Sequence, residues 1–84
     1  PQIWGKQFWW VMHAVAYAYP ETPTIQEINH ARDFYYSLQS LLPCKVCKQN
    51  YAKNLKIYPP QTQSKEKLTL WVYNLQNIVT KEIQ

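Results

Sequence analysis

Cys44 and Cys47 are the two cysteines of this chain, two residues apart in LLPCKVCKQNY, residues 41–51. That spacing lets the sulfurs close a small ring that opens and closes readily, which suits thiol–disulfide exchange. A structural disulfide normally closes a longer loop. Half of a zinc site could look the same, but only His13 and His30 remain as further ligands, and their spacing matches no zinc pattern. Two ordinary core cysteines are the third alternative, set against the adjacent basic residues and a helix start. Pro43 breaks the chain directly before the pair, which predicts that the pair occupies the first turn of a helix. Unpaired N–H groups and the positive end of the helix dipole gather there and favour a thiolate. Lys45 and Lys48 add positive charge. All three effects lower a thiol's pKa, so the spacing predicts a reactive pair.

Four segments with helical periodicity must position it. The first runs from about Ile3 to Tyr19, with Trp9, Met12, His13 and Ala16 on one face. Pro20 and Pro23 stop it. The second runs from about Ile25 to Leu41, opened by a Thr24–Glu27 capping box and striped by Ile28, Ala31, Tyr35, Leu38 and Leu42. The third runs from about Lys45 to Ile57, with Cys47, Tyr51, Leu55 and Tyr58 on one face, and closes at Pro59 and Pro60. The fourth starts after Ser64, an N-cap, and continues to the end on Leu68, Trp71, Val72, Leu75 and Val79. No alternating run and no hairpin dipeptide occurs, so strands are not expected. The expected architecture is all-α: an antiparallel four-helix bundle, residues 1–84 forming a single domain.

Composition agrees with one small core. The chain has 84 residues, 46% of them apolar, with seven tyrosines and four tryptophans, which argues against disorder. A net charge of +4 is modest, the lysines are scattered, and no nucleic-acid motif appears, so no nucleic-acid partner is expected. The most apolar stretch, residues 8–19, is too short to span a membrane.

A thioredoxin-like framework needs strands that are not expected here. A dithiol alone exchanges disulfides but uses oxygen poorly; an oxidising partner inside the domain would be a flavin. The single glycine, Gly5, rules out a G-x-G-x-x-G dinucleotide turn. Such a flavin must therefore lie among helices, held by aromatic stacking and side-chain hydrogen bonds.

WGKQFWWVMHAVAYAYPETPT resembles the opening of the flavin-linked sulfhydryl oxidases of the Erv/ALR family, with Gly5, Trp9, His13, Tyr19, Pro20, Pro23 and Thr24 in the places of its pattern. LPCKVCKQNY is similar to its P-C-x-x-C segment, Phe34 falling between the two motifs. WVYNLQNIVTKEI resembles its W-x-x-x-x-H-N-x-V-N-x-x-L helix, with Gln76 in place of the histidine, Thr80 in place of the second asparagine and Ile83 in place of the leucine. The likeness covers nearly the whole chain and is nearest to the short single-domain members, those of large DNA viruses included. The family's short fifth helix, and any distal cysteine pair, would lie outside these 84 residues.

The resemblance implies FAD as cofactor and an FAD-dependent thiol oxidase that makes disulfides and passes electrons to oxygen, giving hydrogen peroxide. It implies protein or small-molecule thiols as substrates, a thioredoxin-like shuttle among them, and a homodimer paired through the first two helices. Cys44, ahead of the helix, is expected as the exposed sulfur that substrate attacks; Cys47, on the Tyr51–Leu55 stripe, is expected to face inward and attack the flavin ring. Gly5, Lys6, Trp9, His13, Tyr17, Cys47 and Asn50 would contact the flavin side. Trp71, Asn74, Gln76, Asn77, Thr80 and Lys81 would hold the adenosine and phosphates, with Trp71 against the adenine and Lys81 and Lys6 lending charge to the pyrophosphate. Read from the residues alone, Trp9 and Tyr17 are core aromatics and His13 a satisfied core histidine. The alternatives to an oxidase are a flavin-free disulfide-exchange carrier and a small helical binding module.

Overall fold

Pro43 and the Pro59–Pro60 pair divide the chain where helices cannot continue. The structure, a computed structural model, describes residues 4–82. These form α1 (Gly5–Tyr17), α2 (Ile25–Leu41), α3 (Lys45–Ile57) and α4 (Lys65–Glu82), with no strand among the described residues. The capping box forms: the Thr24 hydroxyl accepts from the Glu27 N–H at 3.1 Å, and Glu27 accepts from the Thr24 N–H at 2.9 Å. Ser64 caps α4 by accepting from the Lys67 N–H at 3.2 Å.

α1 departs from the expected bounds. It starts at Gly5 and ends at Tyr17, two residues before Tyr19; Ile3 lies outside the described residues. Tyr19 precedes Pro20, and a residue before proline is pushed out of the helical region. Released from the helix, Tyr19 is buried and donates its hydroxyl to the Thr62 carbonyl at 2.8 Å, tying the α1 end to the α3–α4 loop.

α1 packs mainly on α4, and α2 on α3. The pairs run antiparallel. Tyr51 donates its hydroxyl to the Tyr35 carbonyl, while Leu42 and Cys44 meet at the turn. His13 meets Gln76, whereas Thr69 reaches the Ala16 carbonyl at 3.5 Å. The core is the predicted stripes brought together: Met12, Ala16, Tyr35, Tyr51, Leu55, Leu68, Trp71, Val72 and Leu75 are all buried. Trp71 sits at its centre, edge-on to Tyr35 at 5.1 Å between centroids and stacked on Tyr58 at 6.2 Å. Its indole N–H donates to the Tyr58 carbonyl at 3.0 Å.

Burial raises the hydroxyl pKa of both Tyr35 and Tyr51 above the ordinary phenol value. The folded chain therefore holds protons that the unfolded chain gives up above about pH 10. Their stabilisation is complete below that pH and fades as pH rises, by about 1.4 kcal/mol per pH unit for each tyrosine. The urea midpoint is expected to fall steeply between about pH 9.5 and about pH 11, and to flatten in Tyr35→Phe/Tyr51→Phe. A wild-type midpoint that stays level across that range would contradict the buried-hydroxyl arrangement.

Candidate active site

Cys44 occupies the N-cap of α3 in an extended conformation, and Cys47 the third helical position. The Cys44 sulfur accepts the Cys47 N–H at 3.2 Å, taking the capping role that serine or aspartate usually fills. The two sulfurs are not bonded to each other in this structure. Cys44 is half-buried rather than fully exposed, as is Cys47, but their surroundings differ. Cys47 packs against the core and lines a partly open cavity; Cys44 does not.

The two thiols are driven in opposite directions. A hydrogen bond from the Cys47 thiol holds Cys44 below its ordinary value, and the Cys47 and Val46 backbone N–H groups act the same way. Burial pushes Cys47 up, and the hydrogen bond to Cys44 and its charge push further. The expectation that both thiols would be lowered is thus corrected for Cys47: its packing outweighs the helix end. Hydrogen bonds, and not the charges of Lys45 and Lys48, carry the Cys44 shift.

The cavity holds about 100 Å³ between α1, α3 and α4. Trp4, Phe8, Trp9 and Tyr51 form its aromatic walls, with Gly5, Asn50 and Glu82 at polar or backbone positions. Phe8 and Trp9 meet edge to face at 5.1 Å. Across its α3–α4 side, Glu82 accepts from the buried Asn54 amide at 3.2 Å and pairs with Lys53 at 3.2 Å. Gly5, Trp9, Cys47 and Asn50, which the family resemblance set on the flavin side, all line this cavity. Phe8, Tyr51 and Glu82 join them unannounced as site residues: Tyr51 lies one turn beyond Cys47 on its stripe, while Glu82 carries no local signal.

A second, open groove of about 500 Å³ runs along α1 and α4, lined by His13, Tyr17, Thr69 and Tyr73 among others, and contains no sulfur. His13 and Tyr17 fall here, so the Trp9–His13–Tyr17 face serves two concavities. Trp9 and His13 connect them, their rings tilted with centroids 6.4 Å apart. Lys65 sits over the Tyr17 ring at 4.6 Å. The His13 Nε2 lies 2.6 Å from the Gln76 Oε1, an arrangement in which the imidazole donates and Gln76 accepts. Asn74 donates to the Tyr58 hydroxyl at 3.0 Å. Trp71 is wholly buried and offers no surface to either concavity. Lys6, Asn77, Thr80 and Lys81 are exposed and line neither.

No cluster of three metal-ligating side chains occurs among the described residues, and none of the described helices is long and apolar enough to cross a membrane. What the fold and site define is a small helical dithiol protein whose two sulfurs are electronically distinct. The Erv1/Alr family model matches residues 6–84, and the chain belongs to that family. It is 37% identical over 82 residues to a probable FAD-linked sulfhydryl oxidase of Acanthamoeba polyphaga mimivirus, covering 94% of this chain and 57% of that one. It is 30% identical over 80 residues to the mitochondrial FAD-linked sulfhydryl oxidase of Saccharomyces cerevisiae, covering 95% of this chain and 42% of that one. The chain thus spans about half the length of these relatives. The crystal structure of the FAD binding domain of Erv1 from Saccharomyces cerevisiae superposes with a TM-score of 0.91 at 30% identity, over 94% of this chain and 75% of that one.

Proposed function

We propose that this chain is the catalytic domain of an FAD-dependent thiol oxidase, with the net reaction of two thiols and oxygen giving a disulfide and hydrogen peroxide. The observation that carries it is the placement of Cys47 in an aromatic cavity while its partner Cys44 caps the helix outside that cavity. The residues fit a flavin in kind: flat aromatic walls suit a tricyclic ring, and Asn50 offers amide hydrogen bonds to its polar edge. At about 100 Å³ the cavity is smaller than such a ring needs. Gly5, Trp9 and Asn50 would hold the ring, and His13 and Tyr17 the extension along α1.

With the pair in its disulfide form, a substrate thiolate attacks the Cys44 sulfur. The Cys44–Cys47 bond breaks, and its electron pair leaves on Cys47 as thiolate. A second substrate thiolate then attacks the substrate sulfur, releasing the disulfide and leaving Cys44 as thiolate. The Cys47 and Val46 backbone N–H groups, which lower the Cys44 thiol, remain in place to stabilise it as the leaving thiolate in this last step. While Cys44 is held in the mixed disulfide, two of the influences that raise the Cys47 pKa, the Cys44 hydrogen bond and charge, are gone, which favours the Cys47 thiolate when it is needed. FAD, when bound beside Cys47, accepts the two electrons of the dithiol and delivers them to oxygen.

Substrates are protein or small-molecule thiols, a thioredoxin-like carrier among them. Two copies pair through α1 and α2, where Trp10, Val11 and Phe34 lie exposed. Purified protein should be yellow and should consume oxygen with dithiothreitol. A preparation that stays colourless after FAD is added would sink the oxidase reading and leave the exchange carrier or the binding module, and a monomer in sedimentation at micromolar concentration would remove the dimer.

A further inference from the structure

α3 carries Lys45, Lys48, Lys53 and Lys56 and no acidic residue. Lys45, Lys53 and Lys56 are exposed, and Lys48 is half-buried. The one ion pair among the described residues engages Lys53, so it leaves the charges of Lys45, Lys48 and Lys56 uncompensated. Lys45 directly follows Cys44. Lys48 lies one turn beneath it, its N–H donating to the Cys44 carbonyl at 2.9 Å. Helical spacing puts Lys45 and Lys56 on the side of α3 away from Cys47 and Asn54, with Lys48 at the edge of the Tyr51–Leu55 face. Lysines in a first turn also oppose the helix dipole, which favours acids there. The helix accepts that unfavourable placement where the reactive sulfur sits. Val46, between the cysteines, is 62% exposed, and Leu41 just before the turn is 69% exposed. An incoming thiol therefore reaches Cys44 past two cations and a small apolar shelf.

We propose that this face selects its substrates by charge, admitting thiols carried in acidic polypeptide segments ahead of neutral or basic ones. The inference rests on the oxidase reading and deepens it by naming the substrate class. The occupant follows from complementarity: carboxylates flanking the substrate cysteine would meet Lys45 and Lys48, and an apolar neighbour would lie on Val46. The reaction is the exchange already described, with substrate thiolate forming a bond to the Cys44 sulfur and the electron pair leaving on Cys47. A ratio of rates for two probes, each corrected for its own thiolate fraction, isolates selection.

The test uses the flavin-loaded protein and two dithiol peptides with the same C-x-x-C centre, one flanked by glutamates and one by lysines, with dithiothreitol as the uncharged control. At low ionic strength kcat/KM should favour the acidic peptide by about tenfold. The preference should collapse near one molar salt, where screening acts within about 3 Å. In Lys45→Glu/Lys48→Glu it should invert. A readout without turnover is the exchange rate of Cys44 in Cys47→Ser with glutathione disulfide, which is anionic, against cystamine, which is cationic; the anionic probe should gain in the same proportion. Equal rates for the two peptides, or a lysine preference, with dithiothreitol still oxidised would overturn charge selection and leave the oxidase standing. No oxidation of any thiol, dithiothreitol included, by protein that binds flavin would overturn both.

Discussion

Cys47→Ser is expected to lower oxygen-coupled oxidation of dithiothreitol by about a thousandfold or more. Cys47 is the sulfur that lines the aromatic cavity, and a hydroxyl there can neither complete a disulfide with Cys44 nor carry electrons inward. Serine nearly matches the volume of cysteine, and Cys47 is only half-buried, so the fold should survive. Helical content and the urea midpoint should stay close to wild type, and Cys44 should still form a mixed disulfide with a small disulfide probe. Measuring oxygen uptake and mixed-disulfide formation on one preparation separates a lost electron path from a lost nucleophile. Turnover within a few fold of wild type would break the division of labour between the sulfurs.

Trp71→Ala is expected to remove about 3–5 kcal/mol of stability, a large part of what a domain of this size holds. The indole is fully buried, contacts Tyr35 and Tyr58, and satisfies the Tyr58 carbonyl. Alanine would leave a cavity and an unpaired carbonyl together. Trp71→Phe keeps most of the packing and loses the hydrogen bond, so it should cost about 1–3 kcal/mol. The comparison belongs in flavin-free protein, by urea unfolding followed by circular dichroism. If Trp71 acted mainly against the adenine, the alanine variant would unfold like wild type without flavin and differ only in flavin affinity.

That contrast shows what local sequence could and could not convey. α2 and α3 were legible to the residue, because a capping box and prolines mark their ends. The end of α1 was not, since the apolar pattern runs on through Tyr19 while the Pro20 ring forbids the helix there. Cys47 was read as inward-facing because it shares a stripe with Tyr51 and Leu55, and it lines the cavity as that stripe requires. Its pKa was misread because a helix terminus and lysines are visible in sequence, whereas burial against another helix is not. Trp71 lies on the same stripe as Leu68, Val72 and Leu75, which placed it in the core, but the motif around it suggested a ligand. The Asn54–Glu82 and His13–Gln76 pairs span 28 and 63 residues, and no periodicity reports on such partners.

The visible spectrum of the flavin-loaded Cys44→Ser variant tests the central claim most directly. Without Cys44, the thiol and charge that help hold Cys47 protonated are absent, and burial alone opposes its ionisation. A long-wavelength charge-transfer band should therefore appear and grow as pH is raised, from the Cys47 thiolate lying against the bound flavin, and Cys47→Ser should lack it. A band in Cys47→Ser and none in Cys44→Ser would mean that the other sulfur faces the cofactor, contrary to the cavity described here.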